Sequence, residues 1–301
     1  MSLTYSSTSL EKGLRTVFLD AFQAEGSLAD KLCYVVDSAS NNEKYEWLGE
    51  SPQMSELKGE RHITALSDTG YTLTNTVYTS TIAIRRTDLD DNQTGSIRQR
   101  IQQLASTASG HVNKLLITAL VDGTSDSGHD STAFFGNSHT ARGSSGTQDN
   151  LLAGTGTTAS AVATDLNSAM SSLMGFLAEN GEPYHGDGPS DLAVVCPPAL
   201  AKVFREVLGA SMISNTSNMQ SGMADLIVSP RLTGDANDWY LVNTGGGRKP
   251  LIFQQRDPIE FSALETNTES SFLREVYYYG ARARYAVGYG HWANAIKMVN
   301  S

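Results

Sequence analysis

Apolar and polar positions alternate with a helical period most clearly from Thr94 to Asp122, TGSIRQRIQQLASTASGHVNKLLITALVD. Ile97, Ile101, Leu104, Ala108, Val112, Leu115 and Ala119 step by three and four, which lays one apolar stripe along a helix. No proline interrupts the run, Thr94 is a candidate N-cap near Asp88, Asp90 and Asp91, and Gly123 follows as a stop. At about 1.5 Å per residue the helix spans roughly 40 Å. A polar, β-prone ribbon precedes it and a layer of strands and helices follows, so it reads as a spine.

The pattern on either side predicts smaller elements. Leu14, Val17, Phe18 and Phe22 share one face of a short helix within residues 1–26, and Lys31 to Val36 reads as a short apolar strand. Tyr71 to Ile84, YTLTNTVYTSTIAI, is β-prone, but neither of its faces is cleanly apolar. That predicts a two-sided ribbon projecting from the body, with Tyr45 to Met54 as its partner arm and Glu56 to His62 as its tip. A sheet edge meeting solvent is the alternative. Thr124 to Gly156 reads as a long polar loop around one apolar knot, Ala133-Phe134-Phe135.

Beyond the loop, Val162, Leu166, Met170, Leu173 and Leu177 predict a helix over Thr158 to Asn180 that stops at Gly181. Leu192 to Cys196 reads as a buried strand broken by Pro197-Pro198, then a helix over Ala199 to Leu208 turns Leu200, Val203, Phe204 and Val207 inward. Short strands are expected at Leu226 to Val228, Trp239 to Val242 and Leu251 to Phe253. The last two, Phe272 to Tyr279 and Ala293 to Val299, are expected to return beside the spine.

Composition narrows the function. With 301 residues, 40% of them apolar, the chain can bury a sizeable core. A net charge of -10 without a dense Lys/Arg cluster argues against an electrostatic nucleic-acid binder. Cys33 and Cys196 sit in apolar runs and read as buried free thiols. No stretch has the length and apolarity of a membrane span, and the N-terminus lacks the pattern of a secretion signal.

Catalytic signatures are missing from the sequence: it holds no G-x-S-x-G, Walker A loop, H-E-x-x-H or C-x-x-C. His129 and His139 with Asp126 and Asp130 match no standard ligand spacing, so no metal or other cofactor is expected. Gly154-Thr155-Gly156 reads as the approach to a helix rather than an anion cradle. Tyr277-Tyr278-Tyr279 and Trp292 read as core or interface aromatics rather than a base-stacking platform.

Several blocks, in order, carry a resemblance. Tyr45-Glu46-Trp47-Leu48-Gly49-Glu50, Gly59-Glu60-Arg61-His62-Ile63, Gly70-Tyr71 and Arg86-Thr87-Asp88-Leu89-Asp90-Asp91 resemble the major head subunit of Mu-like tailed phages. Lys249 to Gln254, Tyr279-Gly280-Ala281, and Gly288-Tyr289-Gly290 with Trp292 resemble that family's ending, and Phe134, Phe135 and His139 match it between. Relatives tend to carry proline after that histidine, where this chain has Thr140.

The resemblance implies an α+β fold, the tailed-phage and herpesvirus major capsid fold called HK-ninety-seven-like. It implies an N-terminal arm over 1–44, an extended β-hairpin loop over 45–85, a peripheral domain over 86–187 and 266–301 with its spine at 94–122, and an axial domain over 188–265. The implied function is a non-enzymatic capsid protein of the virion, assembled in host bacterial cytoplasm into hexamers and pentamers that enclose double-stranded DNA. Scaffold, protease, portal and decoration proteins would be its partners, with no membrane. Candidate contact residues are Trp47, Lys58, Glu60 and Arg61 on the loop, and Arg85, Arg86, Asp88, Asp90 and Asp91 at its root. Some relatives crosslink a loop lysine to a neighbour's asparagine; here Lys58 is flanked by Glu56 and Glu60, which hold it charged and unreactive, so Asn294 and Asn300 are not expected to be linked to it. The alternatives are an α/β hydrolase-like or ligand-binding enzyme with a noncanonical site, and a phage tail or decoration component.

Overall fold

The computed structural model describes residues 7–24, 26–46, 70–90, 94–140, 146–178, 181–186, 188–189, 191–213, 216–232, 237–245, 249–264 and 273–300. Helix α1 (Ser7–Ala24) and the single turn α2 (Ala29–Leu32) lead into β1 (Cys33–Asp37), β2 (Asn42–Tyr45), β3 (Tyr71–Thr74) and β4 (Thr76–Arg85). A short helix α3 (Arg86–Asp90) precedes the long helix α4 (Thr94–Asp122). Then come β5 (His139–Thr140), β6 (Thr147–Gln148), β7 (Leu151–Ala153), α5 (Ala159–Gly175), β8 (Leu192–Cys196) and α6 (Ala201–Gly209). The chain ends through β9 (Met212–Ile213), β10 (Thr216–Ser217), β11 (Asp225–Val228), β12 (Trp239–Asn243), β13 (Leu251–Leu264), β14 (Val276–Tyr289) and β15 (Ala295–Val299).

Two sheets organise the body. One has the order β1-β13-β14-β4, the other β11-β8-β12-β15-β7. Helix α4 serves both. Its first half buries Ile97, Ile101, Leu104 and Ala105 with Leu14 and Phe18 of α1, Ile84, Phe261 and Tyr279. Its second half buries Val112, Leu116, Ile117 and Leu120 in a larger core with Phe134, Val194, Trp239, Leu241 and Tyr289.

The helix has the expected bounds, but its buried line does not follow the expected stripe throughout. After Leu104 it passes through Ala105, Ser109, Val112, Leu116 and Leu120, leaving Ala108, Leu115 and Ala119 half-buried. A buried serine on that line carries no apolar signal, so the apparent stripe slips by one position there.

The β-prone run divides into two strands at Asn75. Only Tyr71–Thr74 pairs with Asn42–Tyr45, antiparallel, while Thr76–Arg85 runs antiparallel to β14 from Arg85↔Val276 to Thr76↔Tyr285 as an edge strand. Asn75 makes the break. Its buried side chain donates to Ser38 Oγ and Ser40 O, each at 2.9 Å, which pins the turn over the 38–41 loop. The base of the hairpin packs on the first sheet through Tyr45, Leu73, Ile252 and Ala286. Gly288 permits that contact, since a Cβ there would stand 2.9 Å from Leu73 and Tyr71. The remaining partner arm and the tip lie outside the described residues.

Strands β13 and β14 are far longer than their apolar runs, and the sheets exchange their expected members. Leu251 to Leu264, expected with the later block, lies beside β14 and below α1, whereas Ala295 to Val299, expected beside the spine, enters the second sheet between β12 and β7. Beyond Gln255, β13 has no neighbouring strand on its β1 side among the described residues and alternates exposed with covered residues, so polar side chains are tolerated; the ladder shifts register on either side of Asp257, next to Pro258. Residues 295–298 are buried on both faces, which marks a central strand, and Val299 at its end is exposed.

Helix α5 also ends early. At Phe176 the chain turns extended, and Leu177 is held by the Gln148 side chain, which accepts from its N–H at 2.6 Å and donates to its carbonyl at 3.0 Å. Cys33 and Cys196 are buried free thiols, as expected, and burial pushes the Cys196 thiol up to about 12. The slipped line on α4 makes a sharp prediction. Leu116→Ala should cost about 2–5 kcal/mol of stability and Leu115→Ala only about 1 kcal/mol, read from urea unfolding midpoints; equal losses would restore the straight stripe.

Candidate functional site

The candidate contact residues fall into two groups. Arg85 is exposed at the end of edge strand β4, and α3 opens with Arg86, whose N–H donates to Glu275 O at 2.8 Å. Asp88 is half-buried and Asp90 closes the helix. Trp47, Lys58, Glu60, Arg61 and Asp91 lie outside the described residues.

The described part of the segment that reads as a long polar loop is closely bonded to the end of α4 and to the aromatic core. Phe134 and Phe135 are buried, Phe134 stacking on Tyr289 at 4.7 Å between centroids and Phe135 meeting Tyr240 at 5.5 Å. Phe135 N–H donates to Gly123 O and Phe134 N–H to Asp126 O, which folds the loop back on the end of α4. A turn at 128–132 carries Ser131 in the left-handed region at φ 63° and presents Asp130 to His139. The loop is polar in sequence because what it buries, besides Phe134 and Phe135, is backbone and His139 rather than aliphatic side chains.

Four of the six histidines gather around residues 291–294. His139 is buried, stacks on Trp292 at 4.3 Å, and bonds Asp130 Oδ2 through Nδ1 at 2.6 Å. His291 lies between His129 and Tyr184, at 4.7 and 4.3 Å. His185 meets Ala293 O at 2.8 Å and the Asn243 amide at 3.3 Å. Burial lowers His129 and takes His291 well below the ordinary histidine range, with the neighbouring imidazoles adding to it for both. Burial alone would raise Asp130, but hydrogen bonds from His139 and Thr132 bring it down to about 2.

This arrangement ties the loop after α4 to the 291–294 turn. An Asp–His pair of the catalytic kind has a nucleophile at the far imidazole nitrogen, and His139 Nε2 is buried with no hydrogen-bond partner among the described residues. Asp126 accepts from Tyr289 OH at 3.1 Å. Among the described residues no three His, Cys, Asp or Glu side chains are placed to hold a metal. The Gly154–Gly156 amides are occupied from within the chain: Thr155 N–H and Oγ1 donate to the Asp165 carboxylate, and Gly156 N–H to Asn300 Oδ1.

What the chain does present outward is surface. Val77 lies exposed on the edge strand, Met212 and Met219 (79% exposed) beside α6, and two open hollows of about 490 and 370 Å³ along α4. No helix among the described residues is long and apolar enough to cross a membrane.

Against known proteins, the family model described as Mu-like prophage major head subunit gpT matches residues 8–162 and 231–300. The chain belongs to this family. The Mu-like prophage FluMu major head subunit of Haemophilus influenzae is 24% identical over 93% of this chain and 69% of its own length. The major capsid protein of Escherichia phage Mu is 24% identical over 95% of this chain and 72% of its own. Among solved structures, the procapsid of bacteriophage JBD30 superposes with a TM-score of 0.56 at 21% identity, covering 99% of this chain and 77% of that one. A virus-like particle from Pyrococcus furiosus gives 0.57 at 10% identity, covering 95% and 98%. The fold is therefore the phage capsid fold, HK-ninety-seven-like and α+β, and the chain is a major head subunit, a structural component of the virion capsid.

The histidine cluster gives this head subunit an acid limit. In the unfolded chain His129 and His291 take up protons near pH 6.5, whereas the folded chain holds them neutral, so below that pH the unfolded state binds more protons and stability falls. Asp130 adds a second loss as pH drops from about 4 towards its folded value of about 2. Urea midpoints of the soluble subunit should show about 1–3 kcal/mol less stability at pH 5.5 than at pH 7.5, and His291→Asn should shrink the difference. An identical difference in that variant would take the acid sensitivity away from this cluster.

Proposed function

We propose that copies of this head subunit close into an icosahedral shell of hexamers and pentamers around double-stranded DNA, assembled in the cytoplasm of a host bacterium. The family match on both sides of the long helix carries the reading. Scaffold, protease and portal proteins are proposed partners, and a decoration protein a further one. Shell closure multiplies modest contacts, so no single interface has to be strong.

The sheets give the proposed units. Sheet β1-β13-β14-β4 with α1 and the first half of α4 suits a peripheral unit, and sheet β11-β8-β12-β15-β7 with α5 and α6 suits an axial one. Of residues 45–85, expected as one loop, 76–85 pair with β14 in the sheet of the peripheral unit, so the proposed loop lapping a neighbour is 45–75, with Trp47, Lys58, Glu60 and Arg61 in contact there and Arg85, Arg86, Asp88, Asp90 and Asp91 near its root. The β3 register with β2 supports a hairpin that runs outward from Tyr45 and Tyr71. The β9–β10 hairpin, with exposed Met212 and Met219 next to it, suits contact at a capsomer centre. Shells without covalent links are proposed as well: Asn294 and Asn300 are buried and donate to Tyr184 OH and Asn237 O in their own chain, so neither amide is free for a lysine.

Negative-stain microscopy tests the reading. Purified chains should form capsomers or shells that give a single band near 32.3 kDa when boiled in detergent, whereas uniform small particles with catalytic turnover would favour an enzyme. Replacing both Met212 and Met219 by Asp should leave the unfolding midpoint in place and raise the concentration needed for assembly at least about tenfold, since burying each methionine is worth about 1.5–3 kcal/mol. Unchanged assembly would remove the hairpin from the contacts.

A further inference from the structure

The outward face of α4 has a composition at odds with the rest of the chain. The protein has 32 acidic and 22 basic residues, yet from Thr94 to Val121 the helix carries Arg98, Arg100, His111 and Lys114 and no acid at all; its one carboxylate is the terminal Asp122. Two hollows run along this face. Gln99, Gln102, Gln103 and Ser106 line the first, and Ser106, Thr107, Gly110, His111, Lys114 and Arg231 the second, so Ser106 joins them into one groove. From Gln99 to Lys114 the groove follows roughly 22 Å of helix.

Its basic end is built. Arg231 arrives from the turn after β11, its N–H fixed to Ser229 Oγ, and its guanidinium lies over Gly110, where a Cβ would stand 3.1 Å from Nη2. Glycine is unfavourable inside a helix, so its place here has a packing reason. No carboxylate among the described residues lies within ion-pair distance of Arg231 or Lys114. His111, with Nδ1 2.7 Å from Tyr285 OH, is lowered first by burial and then by the positive charges of Lys114 and Arg231, which shows the sign of the local potential.

Guanidinium, ammonium, hydroxyl and amide groups along a groove without a carboxylate fit a row of anionic oxygens. The lining has no aromatic or aliphatic anchor of the kind that dominates protein–protein contacts, whereas protein–DNA interfaces are polar and positive. A length of roughly 22 Å suits a repeating anion better than one side chain of a neighbour. We propose that this groove is a sequence-independent contact site for the phosphate backbone of enclosed DNA, so that this face of α4 lines the inner wall of the shell. Elsewhere the acidic surface repels DNA, which limits the contact to discrete points. The proposal rests on the shell reading.

Binding of unrelated double-stranded DNA fragments to free subunits, measured across a salt series, tests it. Lys114→Gln with Arg231→Gln should weaken binding to all fragments alike and reduce the slope of log affinity against log salt by about two. Lys114→Arg with Arg231→Lys should keep the slope, and matching unfolding midpoints would show that all chains are folded. No binding by the unsubstituted chain, or an unchanged slope in the Gln variant, overturns the proposal. Loss of assembly in the Gln variant with its DNA slope intact also overturns it and assigns the groove to a second copy. Failure of the unsubstituted chain to form shells while the slope drops as expected would strike the shell reading and leave the phosphate site standing.

Discussion

One buried amide ties the molecule together. Asn150 is fully enclosed; its Nδ2 donates to Phe134 O at 2.8 Å and to Trp292 O and Ala295 O at 3.2 Å, and its Oδ1 accepts from Gly136 N–H at 2.9 Å. Its backbone N–H donates to Gly136 O, and its carbonyl accepts from Lys297 N–H at 2.9 Å. One residue thus joins the loop after the long helix, the crossover from β14 to β15, and the β15–β7 edge. Nearby, Lys297 pairs with Asp238 at 3.2 Å while both are buried, and Asp238 also accepts from Asn300 N–H. Such networks are costly when incomplete and specifying when complete.

The crossover explains the exchange of strands between sheets. The chain leaves β14 at Tyr289, Gly290 closes against Pro250 O, and His291 to Asn294 form a tight turn capped by His291 Nδ1 accepting from Ala293 N–H. That turn brings residues 295–299 into the second sheet, and Asn150, His139 and Trp292 hold it there. A crossover held in this way links the two sheets within the subunit, which suits a protein repeated many times around a shell.

Much of this was legible in the sequence. The bounds of α4, the buried strand at 192–196 and the helix after Pro198 follow from period and proline chemistry, and the family resemblance supplied the fold. The rest depends on contacts that no local pattern carries. Ser109 hides the buried line of α4, and Asn75 breaks a run that threonine propensity makes continuous. Asn150 and His291 look like loop residues, because nothing near them in sequence reveals the distant carbonyls and rings they meet. The candidate contact residues were chosen by resemblance, and of them only the sites around Arg85 to Asp90 fall within the described chain. The acid-free face of α4 was countable from the sequence, but Arg231, the residue that completes its groove, comes from 117 positions beyond Lys114 and is placed by the fold alone.

The central claim is that the body is locked through the buried Asn150 amide. Asn150→Asp keeps the shape and replaces a donor facing three carbonyls by an acceptor, so equilibrium unfolding in urea at pH 7 should show a loss of about 3 kcal/mol or more. A midpoint and slope equal to those of the unsubstituted chain would contradict the claim.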